Sequence, residues 1–554
     1  MSVRARLVET LRERLVAAFG AAVAAGELPS VAGPEPVVEM PRESGHGELA
    51  SPYAMQLARA LRVPPRVVAE RLAAHLGGLP PGVRVVVANP GFLNFYLDDA
   101  WLAQALAEVL ERGPDYGGSD VGGGRRVLIE FVSANPTGPL NVVNARAAAV
   151  GDSLARLLAA VGYRVEREFY VNDAGGQVGN LALSLEVRLR QLLGEAAELP
   201  PDGYPGEYLV DLARGYLEEH GAAVLELPEE ERLALLRDFA VERIRAQQEA
   251  SCERYGVHFD RFFSERRLHE TGAVDKVVGL LRERGHTYQE EGATWLAARE
   301  FGDDKDRVLV KSDGAYTYVV PDVAYHLDKL RRGHDLLIDL LGPDHHGYVA
   351  RMRAALEALG YPPGVLEVHL IQQVRLLREG RAVTMSKRAG EFVTMDQLVA
   401  EVGCDAARFF FLQRSPESPL DFDLDLAKLE TSENPVFYVQ YAHARICSLF
   451  RQAGENWPEG ADLTLLTQPE ERELMRQLSR FPEEVLAAAQ ERAPHRVARY
   501  CLELAGLFHS FYNRHRVLGS APPTAAARLS LARAVGAVLA RGLDLLGVTA
   551  PERM

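Results

Sequence analysis

The chain has 554 residues, 47% of them hydrophobic and 25% charged, with a formal net charge of −15. That is the composition of ordinary folded protein, long enough for about three to five domains, and it excludes disorder. No apolar run reaches the length of a membrane span, and the N-terminal MSVRARLVETLRERL carries charge throughout, so the expectation is a cytoplasmic protein with no membrane partner. The acidic balance counts against capture of nucleic acid by bulk charge, although from Thr431 onward 14 Arg meet 13 Asp plus Glu and leave that part nearly neutral.

In chain order, residues 1–112 read as a small α+β domain. A helix carries Leu7, Leu11, Leu15 and Phe19 on one face, two helical stretches are broken at Pro64 and Pro65, and VRVVVANPGFLNFYL is strand-like. Gly113 to Gly124, with six glycines, reads as a linker. The stretch from Val127 to Gly162 is then strand, tight loop, helix. Val127, Leu128, Ile129, Phe131 and Val132 are a run suited to a parallel strand covered on both faces, and Pro136, Gly138 and Pro139 stop it. Val150, Leu154, Leu157, Leu158 and Val161 recur at helical spacing. Such a unit aims free backbone N–H groups at the carboxyl edge of a sheet, where anions bind; an ordinary βα unit with a polar loop fits the spacing equally well.

A second strand, Val165 to Val171, ends in Asn172 and Asp173, and Gly175, Gly176 and Gly179 beyond it lack dinucleotide spacing and are expected to permit close helix packing. Leu183 to Phe263 reads as a helical insertion with a loop at Pro200 to Gly206. The sheet is expected to resume at Val308 to Lys311 and Ala315 to Val320, with Asp322 opening a helix that carries Tyr325 and His326. Leu336 to Leu341 is the next strand, with GPDHHGY at its end. A turn at Arg378 to Gly380 precedes the basic loop Met385 to Gly390, Asp396 to Arg414 is helical, and Thr431 to Met554 has the pattern of a helix bundle.

Several of these residues have a bland role and a chemical one. Asp322 suits a helix cap, or a carboxylate for a guanidinium, since Arg and carboxylate pair through two parallel hydrogen bonds. Glu130 interrupts an apolar strand and needs a partner wherever it is buried. The two histidines of GPDHHGY invite a metal, but no further ligand cluster follows at the right spacing and the four cysteines are scattered, so no metal site is expected. Tyr438, Tyr441 and His443, and Phe511, Tyr512, Asn513 and Arg514, suit either a bundle core or stacking on unpaired bases.

SANPTGPLNVVNARAAAVGD resembles the signature segment of class I aminoacyl-tRNA synthetases, and specifically of the arginyl-tRNA synthetase family. The family's usual His-x-Gly-His falls on Asn141, Val143 and Asn144, so both histidines are replaced by asparagine. FYVNDAGGQVGN, YTYVVPDVAYH, GPDHHGY and VTMSKRAG resemble later segments of the same family in the same order, the last matching Lys-Met-Ser-Lys with Thr384 at the first lysine and Lys387 at the second. The resemblance implies an α/β catalytic domain with a split Rossmann-like parallel sheet (125–394, helical insertion about 183–263). Around it would lie an N-terminal tRNA-contacting domain (1–112), a connecting module (395–430) and an all-α anticodon-binding bundle (431–554).

It further implies an arginine–tRNA ligase that activates L-arginine with ATP and Mg2+ and transfers it to the 3′ end of tRNA(Arg), acting as a monomer. Glu130, Ser133, Asn135, Tyr318, Asp322 and His346 would bind arginine. Pro136, Gly138, Asn141, Asn144, Asp344, Met385 and Lys387 would bind ATP, with Asn141, Asn144, Ser386 and Lys387 catalytic; Tyr438, Tyr441, His443, Phe511, Tyr512, Asn513 and Arg514 would face tRNA. A mobile ammonium such as that of Lys387 can meet the charge that builds on leaving pyrophosphate. An Asn amide offers a donor but carries no proton charge, so the alternative is a catalytically silent paralogue that binds tRNA or arginine as a regulator.

Overall fold

A computed structural model describes residues 2–41, 44–383, 393–454 and 460–554. The sequence opens with α1 (Val3–Ala24), begun by Ser2, whose hydroxyl accepts from Ala5 N–H at 3.0 Å; Leu7, Leu11 and Leu15 are buried. β1 (Leu49–Ser51), α2 (Tyr53–Leu61), α3 (Pro65–His75), β2 (Val83–Ala88) and β3 (Phe92–Leu97) follow, and the three strands form an antiparallel sheet of order β1-β3-β2. The strand-like stretch before residue 98 is thus a hairpin. α4 (Asp99–Arg112) packs against the C-terminal bundle, and the glycine-rich connection after it is packed in place, with Tyr116 buried against Phe481.

The central sheet contains β4 (Arg126–Glu130) and, after α5 (Val142–Ala160), β5 (Arg164–Val171). Beyond α6 (Gly176–Leu192), α7 (Glu207–His220) and α8 (Glu229–Arg254) comes its edge strand β6 (Arg261–Ser264). The helical insertion therefore ends at Arg254, and Phe262 and Phe263, expected inside it, belong to the sheet. Gly176 and Gly179 face open space, so they do not serve close helix packing. Gly151 does: a Cβ there would lie 2.3 Å from the Phe131 ring, which lets α5 press onto the end of β4.

After α9 (Arg266–Glu270) and α10 (Ala273–Glu283), the strands β7 (Thr287–Glu290), β8 (Ala293–Leu296) and β9 (Arg307–Val310) form a separate antiparallel sheet. Val308 to Val310 thus does not rejoin the central sheet. Ala315 to Val320 is not a strand either: α11 spans Val319–Arg331, with Pro321 in its first turn, where a missing N–H costs nothing. Asp322 sits inside that turn and is not the cap, which is Tyr318.

β10 (Leu336–Leu341), α12 (His346–Ala358) and β11 (Leu366–Leu370) complete the central sheet, order β11-β10-β4-β5-β6, all parallel. The chain moves outward from β4 through β5 to β6 and then resumes at β10 on the other side of β4. The strand order therefore reverses between β4 and β10, and the crevice beyond their carboxyl ends is where ligands bind in such sheets.

β12 (Val374–Arg378) and β13 (Arg381–Ala382) form the expected hairpin, and β14 (Leu420–Asp423) pairs with β12 in parallel. α13 (Met395–Val402) and α14 (Cys404–Leu412), split at Gly403, lie between them. α15 (Leu424–Ala427) leads into the bundle of α16 (Pro435–Ala453), α17 (Pro469–Gln490), α18 (His495–Arg514) and α19 (Pro522–Leu545). Its buried Leu474, Leu478, Val497, Leu504, Val535 and Leu539 keep the helical spacing read in the sequence.

Candidate active site

A cavity of about 830 Å³ opens at the crevice between β4 and β10. Its floor comes from Glu130 and Ser133 at the end of β4, one wall from the loop 134–141 and the start of α5, and the other from Tyr318 and Asp322 at the start of α11. The chain leaves β4 through a tight turn in which Val132 and Ser133 have φ of +68° and +39°, conformations that a β-branched or ordinary L residue rarely adopts. The turn directs the Ser133 hydroxyl back onto Glu130 Oε1 at 2.9 Å, where it also accepts from Tyr170 N–H at 3.1 Å.

The other Glu130 oxygen meets the partner that burial demanded. Lys329 Nζ on α11, fully buried, donates to Glu130 Oε2 at 2.5 Å and to Asp339 Oδ1 on β10 at 2.9 Å, and lies 4.1 Å from the Tyr325 ring centre. His326 bridges the same network, with Nε2 2.7 Å from Asp339 Oδ2 and Nδ1 2.7 Å from the carbonyl oxygen of Asp322. Burial opposes the charge on both Lys329 and Asp339. Their mutual attraction, with Glu130 aiding the lysine and His326 the aspartate, outweighs it and holds the Lys329 pKa above and the Asp339 pKa below the usual ranges.

Asp322 is different. It has no ion pair among the described residues, and burial, reinforced by nearby Glu265 and Glu130, pushes its carboxyl up to about 7 against the opposing pull of His326 and Arg351. An acid so placed is short of a cation. Tyr318, 69% exposed, stands at the cavity mouth with its hydroxyl accepting from Arg351 at 3.0 Å.

At the other end, Asn141 caps α5. Its Oδ1 accepts from Val143 N–H at 2.9 Å and Asn144 N–H at 3.1 Å, while Asn144 Oδ1 accepts from Asn141 N–H at 2.9 Å. This is a reciprocal capping box, and since each amide oxygen is spent on the backbone, each NH2 is the group left over; both residues line the cavity. Two amide donors and the positive end of a helix dipole share one wall.

Among the other expected residues, Gly138 lines the cavity, Pro136 is buried beside it, and Asn135 lines it with its amide donating to Gln177 Oε1 at 2.6 Å. Asp344 is exposed and outside the lining, which removes it from this wall of the site. Asn172 faces the cavity, whereas Asp173 turns away to Ser264 Oγ at 2.6 Å and Arg266 N–H at 2.9 Å. Met385, Ser386 and Lys387 lie outside the described residues, as does the side chain of His346.

Three family models match the chain: the arginyl tRNA synthetase N-terminal domain over 7–97, the catalytic domain of class I tRNA synthetases (R) over 105–410 and the DALR anticodon-binding domain over 439–554. The catalytic model alone spans more than half of the sequence. The chain belongs to the arginyl-tRNA synthetase family. It is 49% identical to the arginine–tRNA ligase of Symbiobacterium thermophilum over 100% of both chains, and 47% identical to that of Desulforamulus reducens over 99% of this chain and 100% of the relative. The solved structure of the Thermus thermophilus arginyl-tRNA synthetase matches with a TM-score of 0.78 at 27% identity, covering 99% of this chain and 100% of that one.

In the bundle that matches the family's anticodon-binding model, Tyr441 is 39% exposed and the Arg445 guanidinium lies between its ring, at 4.6 Å, and that of Tyr512, at 4.9 Å. Asn513 and Arg514 are exposed, with Arg514 ion-paired to Glu470. Tyr438 packs on His509, with ring centres 4.7 Å apart, and His443 Nδ1 lies 2.9 Å from the carbonyl oxygen of Pro551. Phe511 is fully buried among core side chains and cannot stack on a base, so the expectation placed on it is corrected.

Sequence reasoning passed over Tyr170 and Tyr348, which line the cavity, and Lys329 and Asp339, which lie behind Glu130. The available signal was Asp339 interrupting the apolar LLIDLL and Lys329 as one of only six lysines.

Proposed function

We propose that the chain is an arginine–tRNA ligase in which the cavity between β4 and β10 receives both arginine and ATP. The observation that carries this reading is the Asp322 carboxyl, without an ion pair among the described residues and held near neutrality, in the same cavity as the capped helix N-terminus of α5. The guanidinium of arginine pairs with Asp322 beside Tyr318, and the α-ammonium lies against Glu130, Ser133 and Asn135. MgATP enters as substrate, with its phosphates at the N-terminus of α5 and the amides of Asn141 and Asn144 as donors. The arginine carboxylate attacks the α-phosphorus, the bond to the bridging oxygen breaks, and pyrophosphate leaves with its charge met by Lys387. A ribose hydroxyl at the tRNA 3′ end then attacks the arginyl carbonyl and AMP leaves.

In this reading residues 1–112 touch tRNA, 125–394 perform catalysis with the helical insertion ending at Arg254, 395–430 connect, and 431–554 bind the anticodon through Tyr441, Tyr512, Asn513 and Arg514. No described helix is long and apolar enough to cross a membrane, and the protein acts in the cytoplasm as a monomer on tRNA(Arg). The test is aminoacylation of total tRNA with labelled arginine, wild type beside Lys387→Ala. Wild type should charge and Lys387→Ala should lose about a hundredfold or more in rate. Folded wild type that binds tRNA but transfers no arginine would overturn the ligase in favour of a regulatory binder.

A further inference from the structure

Three acids stand side by side across the central sheet. In register, Asp339 on β10 is opposite Glu130 on β4, and Glu130 is opposite Glu168 on β5. All three are buried. Like charges on neighbouring strands repel, and the sheet alone cannot satisfy them. α11 lies over this row and supplies the answer from positions three apart: His326 to Asp339, Lys329 to Asp339 and Glu130, and, just past the helix end, Arg332 to Glu168 at 2.9 Å. Tyr325 adds its hydroxyl to Glu168 at 2.7 Å.

A fold needs none of this, because apolar residues of similar volume are often as stable as a buried ion cluster, while removing one member of such a cluster leaves a buried charge unpaired. Besides the Tyr325 ring, two carboxylates tied to this cluster line the cavity. Glu130 does so with one oxygen on Lys329 and the other on Ser133, so its carboxylate cannot rotate. Asp322 lines the cavity too, and its backbone carbonyl is tied through the His326 ring to the Asp339 carboxylate, a link that pins the first turn of α11.

We propose that Lys329, with Asp339 and His326 behind it, is a positioning device that fixes the two cavity carboxylates, Glu130 and Asp322, for a ligand with two cationic ends. The proposal rests on the ligase reading, in which that ligand is arginine. Lys329 touches no substrate. It acts through Glu130, and its effect is confined to the arginine end.

The test is a double-mutant cycle in the aminoacylation assay with Lys329→Met, Glu130→Gln and the pair, measuring KM for arginine and for ATP separately. Lys329→Met should raise the arginine KM about tenfold or more, leave the ATP KM within about twofold, and add nothing to Glu130→Gln in the double variant. Should Lys329→Met fail to fold, Asp339→Asn, nearly isosteric, should show the same split at about three- to tenfold. Equal rises in both KM values, or fully additive effects, would reduce Lys329 to a stability residue and overturn the proposal. A wild type that charges no tRNA with arginine removes the ligase reading and this proposal together; a charging wild type whose variants lack the split removes the proposal alone.

Discussion

The two ends of the cavity hold their ligand groups by different physics. At the β4–β10 end two carboxylates dominate: Glu130 is locked by Lys329 and Ser133, and Asp322 waits for a cation. At the α5 end the described donors are uncharged: Asn141 and Asn144 spend their oxygens on the helix cap and keep neutral amide donors. Fixed charge suits a ligand whose charges are permanent and stay where they bind, such as an ammonium and a guanidinium. Neutral donors suit a group whose charge moves during the reaction, with the charge that builds on departing pyrophosphate left, in the proposed mechanism, to Lys387.

The largest effect should come from breaking the ionic end at its open position. Asp322→Asn leaves the shape and removes the charge that a guanidinium pairs with. Losing such a pair should cost about 3–4 kcal/mol, roughly a hundred- to thousandfold in kcat/KM for arginine, with the ATP KM unchanged. Steady-state aminoacylation at varied arginine and ATP checks it. An ATP KM that rises in step would mean that the two ends are not separate.

The neutral end is broken next, by a substitution that divides its two duties. Asn141→Ala removes cap and donor together and should lower both melting temperature and turnover. Asn141→Ser keeps a good capping oxygen but has no amide, so stability should return while turnover stays down by about ten- to a hundredfold. If serine restores turnover as well, the asparagine is only a cap.

The pH dependence should separate the ends without mutation. The Asp322 carboxyl titrates near 7 in the free protein and must be ionised to pair with a guanidinium. Its folded pKa is raised, so below that value it is mostly protonated and arginine binding must expel the proton. The arginine KM should therefore fall about tenfold from pH 6 to pH 8 and release up to one proton per arginine bound, which calorimetry in buffers of different ionisation heat measures. The ATP KM, resting on amides, should stay flat over the same span apart from the titration of ATP itself.

How much of this could be read in the sequence follows the same division. The helix α5 was legible from its regular apolar spacing, but its cap was not read, because Asn141 and Asn144 were taken only as stand-ins for two histidines although asparagine is a preferred helix cap. Glu130 was legible as a carboxylate in need of a partner, but the partner was not, because Lys329 lies 199 residues away and only the parallel pairing of β4 with β10 brings α11 over it. The stretch YTYVVP misled because its residues favour strands one by one. Pro321 and the spacing of Val319, Val323, Leu327 and Leu330 already fitted the first turns of a helix, and burial of that face decided it. Phe511 was read as a base-stacking aromatic because at helical spacing core and surface aromatics look alike; its neighbours in the bundle, which sequence alone does not give, make it core.

The smallest effect concerns what holds the neutral end. Three carbonyls of the loop before α5 are held by the helical insertion: Gln248 on α8 donates to Asn135 at 3.0 Å and Gly138 at 2.8 Å, and Tyr208 on α7 donates to Thr137 at 2.6 Å. Gly138 leaves room for the Tyr208 ring, since a Cβ there would come within 3.3 Å of it. The insertion thus supports the α5 end as α11 supports the ionic end. Tyr208→Phe removes one hydrogen bond from a partly open site, worth about 0.5–1.5 kcal/mol, so kcat/KM for ATP should fall about two- to tenfold while the arginine KM holds. A matching loss for arginine would show that the loop serves both ends, and the division drawn here would have to be moved inward from the insertion to the sheet itself.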